Sequence, residues 1–178
     1  MSTPKPHSTV ATRMSGIRED WLRLTQEEVL EPDLAIVDPH HHLWDFPSHR
    51  YLLPDLLADT GSGHKIESTV FIECTACYRA DGPPELRTLG ETEFVNGIAA
   101  MSASGGYGPT RVAAGIVGFV DLTIGARVEE VLRAHMAVAG PRFKGIRHAA
   151  GWEDKAAEIH NSHTNPPPHL YRDHAKFR

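Results

Sequence analysis

A chain of 178 residues with 40% hydrophobic and 23% charged side chains has the make-up of a globular protein, which excludes collagen, a coiled coil and wholesale disorder. A formal net charge of -5 leaves no electrostatic footprint for nucleic acid or an acidic membrane, and the longest apolar run, residues 112–120, falls short of the ~20 residues of a membrane span. A complete eight-unit α/β barrel needs roughly 200–250 residues, so if the motifs point to such a barrel, a chain of this length can hold only part of one.

Residues 1–13 are polar, carry Pro4 and Pro6, and read as a mobile terminus. They contain no apolar core of a secretory signal. The two cysteines, Cys74 and Cys77, are too few to staple the fold, so the expected setting is cytoplasmic. Residues 17–30 read as helix, with Ile17, Trp21 and Leu24 on one face, a capping box from Thr25 and Glu28 dividing the run, and Pro32 stopping it. Residues 1–33 are thus expected to be an extension with short helices. Four near-continuous apolar runs follow as strands, at 34–37, 68–74, 111–122 and 143–149, a pattern that predicts parallel strands covered on both faces. Between them, residues 91–104 form a helix with Phe94, Ile98 and Met101 on one face. Residues 127–139 form another, with a stripe of Val128, Val131, Leu132, His135 and Met136 ended by Gly140-Pro141. The alternation predicts an α/β unit over 34–150 with a parallel sheet and βαβ crossovers. Beyond it, 151–178 reads as loop, broken by Pro166 to Pro168 and dotted with His160, His163, His169 and His174, with the start of a further helix at 170–177.

The sharpest chemical signal is Asp38-Pro39-His40-His41-His42 at the end of the first strand. Residues two apart on a strand point the same way, so His40 and His42 converge while His41 faces the other layer. Two converging imidazoles begin many divalent-metal sites, zinc above all; the alternative is two polar residues bonding backbone at a strand end. Glu73, Asp121 and the Arg147-His148 pair end the next three strands. Each alone reads as a salt bridge or a cap, but four strand ends bearing ionisable groups on one rim point to a site. Glu73, Arg147 and His148 are the candidates for holding a substrate, Arg147 suiting a carboxylate or a polarised carbonyl. Cys74-x-x-Cys77 has redox spacing but no helix starting at the first cysteine, and Gly61-Ser62-Gly63-His64-Lys65 is a faint phosphate loop at best. Neither HExxH nor GxSxG occurs.

The segments IVDPHHHLWD, YLLPDLL, STVFIEC, GETEFVNGIAAM and FKGIRHAA, in that order, resemble the amidohydrolase-related branch of the amidohydrolase superfamily, and within it the group of sugar lactonases and 2-pyrone-4,6-dicarboxylate lactonase. The resemblance runs from about residue 34 to about residue 152, with a fainter echo at 171–178. It implies an α/β fold of TIM-barrel (β/α)8 type, incomplete here, with about the first four strands and their helices, and a site on the carboxyl rim. It implies that His40 and His42 are the HxH metal motif, holding a divalent metal, zinc by preference, which some lactonases of the group do without. Arg147 and His148 fall where the group binds substrate. The catalytic group itself is unassigned: further histidines on the fifth and sixth strands and a water-activating aspartate on the eighth are expected beyond residue 178. The implied activity is the opening of a small-molecule lactone, with no nucleic-acid or membrane partner. Alternatives are a metal-dependent decarboxylase of the same superfamily, or an inactive fragment or metal-binding module. Half a barrel is expected to be inactive alone and to aggregate or pair as a homo-oligomer.

Overall fold

A computed structural model describes residues 18–47 and 49–150. The sequence-predicted helix at 170–177 and the four histidines of the tail lie outside the described residues. After a single helical turn, α1 (Glu19–Leu22), the chain enters β1 (Ala35–His41). An antiparallel hairpin of β2 (Trp44–Phe46) and β3 (His49–Tyr51) leads to α2 (Leu53–Thr60). Then β4 (Lys65–Ile72), α3 (Leu89–Ala103), β5 (Arg111–Gly118), α4 (Val128–Ala139) and β6 (Phe143–Ile146) alternate. The predicted α/β architecture with a parallel strand core is present.

Strands β1, β4, β5 and β6 make one parallel sheet in that order. Every strand lies beside its predecessor, without the reversal of order that sends helices to both faces of a doubly wound sheet. The core accordingly gathers on one face. Phe71, Val112, Ala113 and Ile116 of the sheet pack with Leu53 and Leu56 of α2, Val95 and Ala99 of α3, and Ala139 of α4. Burying side chains of this size removes about 1.5–3 kcal/mol each from water contact. On the strands, Val70, Ile72 and Val117 alternate with buried Phe71 and Ile116 and stay half-exposed, and Val37 is 56% exposed. Cover on both faces, expected from the apolar runs, is therefore present on one face only among the described residues.

The helices differ from expectation in instructive ways. Of residues 17–30, only Glu19–Leu22 is described as helical, and Thr25 and Glu28 cap nothing. Trp21, Leu24 and Leu30 stay exposed, and a short helix with no surface to bury its apolar face is marginal in water. Helix α3 buries Glu91, Thr92, Val95, Ala99 and Ser102 instead of the larger stripe, leaving Phe94 and Ile98 at the core margin and Met101 exposed. Polar side chains go inside because each finds a partner. Ser102 Oγ donates to Thr110 O at 2.8 Å and accepts from Val112 N at 2.9 Å. Helix α4 buries Val131, His135 and Ala139 and leaves Met136 outside. The His135 ring bridges Thr92 Oγ1 at 2.8 Å and Thr88 Oγ1 at 3.2 Å and stacks on Phe143.

Two expectations follow from this packing. Among the described residues β1 and β6 are each paired along one side only, so each offers a row of free N–H and C=O groups. Residues 1–178 alone are expected to self-associate, with a light-scattering mass above the 19.6 kDa of one chain; a sharp-melting monodisperse monomer is the opposite result. The second concerns His135, whose burial lowers its pKa from the ordinary 6.5. Below pH 6.5 the unfolded chain takes up a proton that the fold refuses, so this contribution is complete above 6.5 and lost as pH falls toward the folded value. Glu91 acts in the opposite sense, because its folded pKa of about 7 exceeds the ordinary 4.5 and its contribution is lost as pH rises through 7. His135→Gln should therefore show a shallower loss of stability between about pH 7.5 and 5.5 than the unsubstituted chain. The difference in slope, read by urea denaturation, has a ceiling of about 1.4 kcal/mol per pH unit, one proton's worth.

Candidate functional site

At the end of β1 the Asp38 carboxylate accepts the His40 amide at 3.0 Å, and Pro39 has no amide to give. The strand bulges there: Asp38 pairs with Thr69 and His41 with Phe71, three steps against two. His41 then enters the core, its ring edge-on to Phe71 with centroids 5.8 Å apart, and burial pulls its pKa down to about 4. His40 and His42 meet, their Nε2 atoms 3.2 Å apart. His42 Nδ1 lies 2.8 Å from the Ile72 carbonyl oxygen. A carbonyl can only accept, so Nδ1 carries the hydrogen and Nε2 presents its lone pair, into which His40 Nε2–H donates. A tetrahedral site with zinc–nitrogen bonds of 2.0–2.1 Å has a ligand-to-ligand edge of about 3.3–3.4 Å. The pair thus has the spacing to share one divalent ion once the His40 hydrogen shifts from Nε2 to Nδ1. Among the described residues no group of three or more His, Cys, Asp or Glu side chains is placed to hold a metal.

Glu73 N donates to Val117 O at 2.8 Å, carrying the β4–β5 pairing one residue past the strand. Its buried carboxylate receives Arg147 Nε at 2.7 Å, while Arg147 Nη2 donates to the Glu73 carbonyl oxygen at 2.6 Å. The sequence-predicted Glu73 and Arg147 are thus brought together, and both influence His42. Burial lowers the His42 pKa most, Arg147 lowers it further, and Glu73 raises it. Arg147 is partly committed by this pairing, and a ligand would meet the rest of its guanidinium. His148 and Asp121 turn to the loop after β5 instead. His148 Nδ1 accepts Leu122 N at 3.0 Å, and Asp121 Oδ1 accepts the Thr123 amide and hydroxyl as the cap of the turn at Leu122–Arg127.

Sequence reasoning did not find Glu91, nor the β2–β3 hairpin that sets Trp44 against His42 with ring centroids 5.3 Å apart. Glu91 is only 1% exposed, and its Oε1 accepts the amides of Cys74 at 3.0 Å and Ala76 at 2.7 Å. Thr75 and Cys77 adopt left-handed backbone, φ 67° and 55°, which costs about 1–2 kcal/mol each for side-chain-bearing residues. That alternation points successive amides at one anion. Burial raises the Glu91 pKa to about 7 against the two N–H bonds that hold it down. Cys74 Sγ donates to Leu43 O at 3.3 Å, and burial pushes both thiols up, Cys74 furthest, the reverse of what thiol redox chemistry requires. A cleft of about 540 Å³ opens at the other end of the strands, near His64, Lys65 and Tyr107; its one carboxylate, Glu67, is paired with Lys65 at 3.3 Å. It lies at the opposite end from the polar groups gathered at the carboxyl ends of the strands. Close approach at Gly90 supports the Glu91 arrangement: a Cβ there would stand 2.3 Å from Cys77 O and 2.8 Å from Arg79 N. Gly90→Ala is expected to destabilise by about 2–4 kcal/mol, since both obstructions are backbone. An unchanged urea midpoint would contradict the packing described.

No model of a known protein family matches the chain, and no solved structure matches it. The uncharacterized protein y4mH of Sinorhizobium fredii (strain NBRC 101917 / NGR234) is 25% identical over 150 residues, covering 72% of this chain and 44% of that protein. The chain therefore spans less than half the length of the curated relative it matches.

Proposed function

We propose that residues 34–150 are the first half of a (β/α)8-type barrel carrying the first-strand histidine pair and a substrate-holding Arg–Glu pair of a lactone-opening hydrolase. The observation that carries this reading is the His40–His42 contact, Nε2 to Nε2 at 3.2 Å, at the carboxyl end of β1 with the second nitrogen of His42 fixed by Ile72 O. Orientation of a ligating imidazole through its other nitrogen is a recurrent feature of metal sites. The strand order without reversal, helices on one face and polar groups gathered at strand ends support the barrel half.

A divalent ion held by His40 and His42, zinc by preference for two imidazoles, would supply Lewis acidity, polarising a lactone carbonyl and making water acidic near neutral pH. The chain's own residues do the rest of the holding. Glu73 neutralises one edge of Arg147, and the remaining N–H groups anchor a carboxylate or hydroxyl of the substrate. This reading calls for further ligands and a proton-accepting carboxylate from outside the described residues.

Zinc titration against a chromophoric chelator tests the pair. His40→Ala and His42→Ala should each weaken zinc at least tenfold while His41→Ala leaves it unchanged; equal losses, or no uptake by the unsubstituted chain, would overturn the assignment. For the substrate class, sugar and dicarboxylate lactones added to ¹⁵N-labelled protein should shift the side-chain signals of Arg147 and His42, and peptides and phosphate esters should not. Absence of any lactone-specific shift would sink the lactone reading.

A further inference from the structure

We propose that Glu91 is the positioning residue of this site: its buried carboxylate fixes the chain just after β4, and through it the direction of Arg147. The inference rests on reading the rim as a functional site. It stands on two consecutive peptide planes. In the Ile72–Glu73 peptide the oxygen accepts His42 Nδ1–H at 2.8 Å and the N–H donates to Val117 O at 2.8 Å. In the Glu73–Cys74 peptide the oxygen accepts Arg147 Nη2 at 2.6 Å and the N–H donates to Glu91 Oε1 at 3.0 Å. A trans peptide is planar, with C=O and N–H pointing oppositely, so whatever holds the N–H aims the oxygen. The sheet aims the first plane at His42. Beyond the sheet only a side chain can hold the next, and Glu91 is the one that does so.

The surroundings prevent the segment from turning elsewhere. Glu91 Oε1 also takes the Ala76 amide at 2.7 Å, clamping the left-handed Thr75 between two bonds to one oxygen. The Cys74 thiol ties the same residue to Leu43 O, next in the chain to His42. Ile72, Glu73 and Cys74 therefore each hold a different part of the site, and Glu91 holds the peptide that joins the last two. Removing its carboxylate frees two amides beside two strained residues, and the segment relaxes by rotating the Glu73 carbonyl away from Arg147. The guanidinium follows, while the Ile72 carbonyl, held by the sheet, keeps its aim at His42.

Two signals read this in the protein without metal or lactone: the tautomer of His42 from the ¹⁵N shifts of its ring, and hydrogen exchange of Arg147 Nε–H. Both are measured above the pH at which His42 protonates. In Glu91→Ala and Glu91→Asp, Arg147 Nε–H should exchange at least tenfold faster, while His42, held through the sheet by Ile72 O, should stay in the single Nδ1–H form. Glu91→Gln, whose carbonyl accepts the same two amides, should keep both signals. Val131→Ala, a core truncation in α4, controls for lost stability and should also keep them. The proposal is overturned if Glu91→Ala and Glu91→Asp leave Arg147 Nε–H exchange unchanged, or if Val131→Ala speeds it equally. Should Glu91→Ala fail to fold, Glu91→Asp decides the question. Because neither zinc nor lactone is present, failure to bind either one leaves this test standing.

Discussion

The geometry of the rim turns on one peptide group, that between Glu73 and Cys74. It lies where the β4–β5 ladder gives out, so its orientation is not set by the sheet. A carboxylate on its N–H and a guanidinium on its oxygen hold it in place. The amide bonds from Cys74 and Ala76 compensate part of the cost of burying that carboxylate, which makes a buried glutamate tolerable where an unpaired charge would not be. Burial still pushes that carboxyl up to about 7, so the compensation is incomplete and the amide bonds are what keep the carboxylate accepting.

The histidine pair shows the same economy. His42 has one nitrogen committed to Ile72 O and one turned to His40, so its lone pair is directed before any ligand arrives. His40, exposed, is the partner whose hydrogen would shift to Nδ1 for an ion to enter. Nearby, Arg147 makes protonation of His42 harder, which favours the neutral, ligating form, while Glu73 limits that bias. On the proposed metal-binding reading, affinity would be coupled to the Arg147–Glu73 pair, although neither residue needs to be a ligand.

What the sequence makes legible, and what it hides, divides along physical lines. The strands were readable because apolar β-branched runs bounded by proline and glycine have few other solutions. The convergence of His40 and His42 was readable because a strand alternates, and the two rings still meet although His40 lies within the bulge between Asp38 and His41. The buried face of α3 was misplaced because side-chain size was taken for burial, whereas on α4 the expected stripe holds at Val131 and His135 and fails at Met136. Thr92 and Ser102 go inside on the strength of hydrogen bonds to His135, Thr110 and Val112, partners that are distant in sequence or on another element. Trp21 and Leu24, on the apolar face expected of a helix over 17–30, stay exposed, which no local pattern reveals. Glu91 was invisible for a related reason: its role is defined by two amides, at Cys74 and Ala76, whose direction depends on left-handed backbone at Thr75, a conformation that threonine rarely advertises.

The core histidine of α4 belongs to the same construction. Arg147 N donates to Gly118 O at 2.9 Å, so the end of β6 is positioned by the end of β5. Gly118 can take that position only because His135 needs its space: a Cβ there would stand 3.2 Å from two atoms of the imidazole and 3.3 Å from Phe143. The ring in turn stacks on Phe143, first residue of β6, with centroids 5.3 Å apart and planes within 11°. Thr88 and Thr92 fix the ring from α3 and its approach, just beside Glu91. The helix that supplies Glu91 to one side of the Glu73–Cys74 peptide therefore also braces the strand that delivers Arg147 to the other. Both bonds to that peptide trace back to the first turns of α3, so a displacement of this helix start would disturb the two together, and the rim responds as a unit because its opposing charges share one foundation.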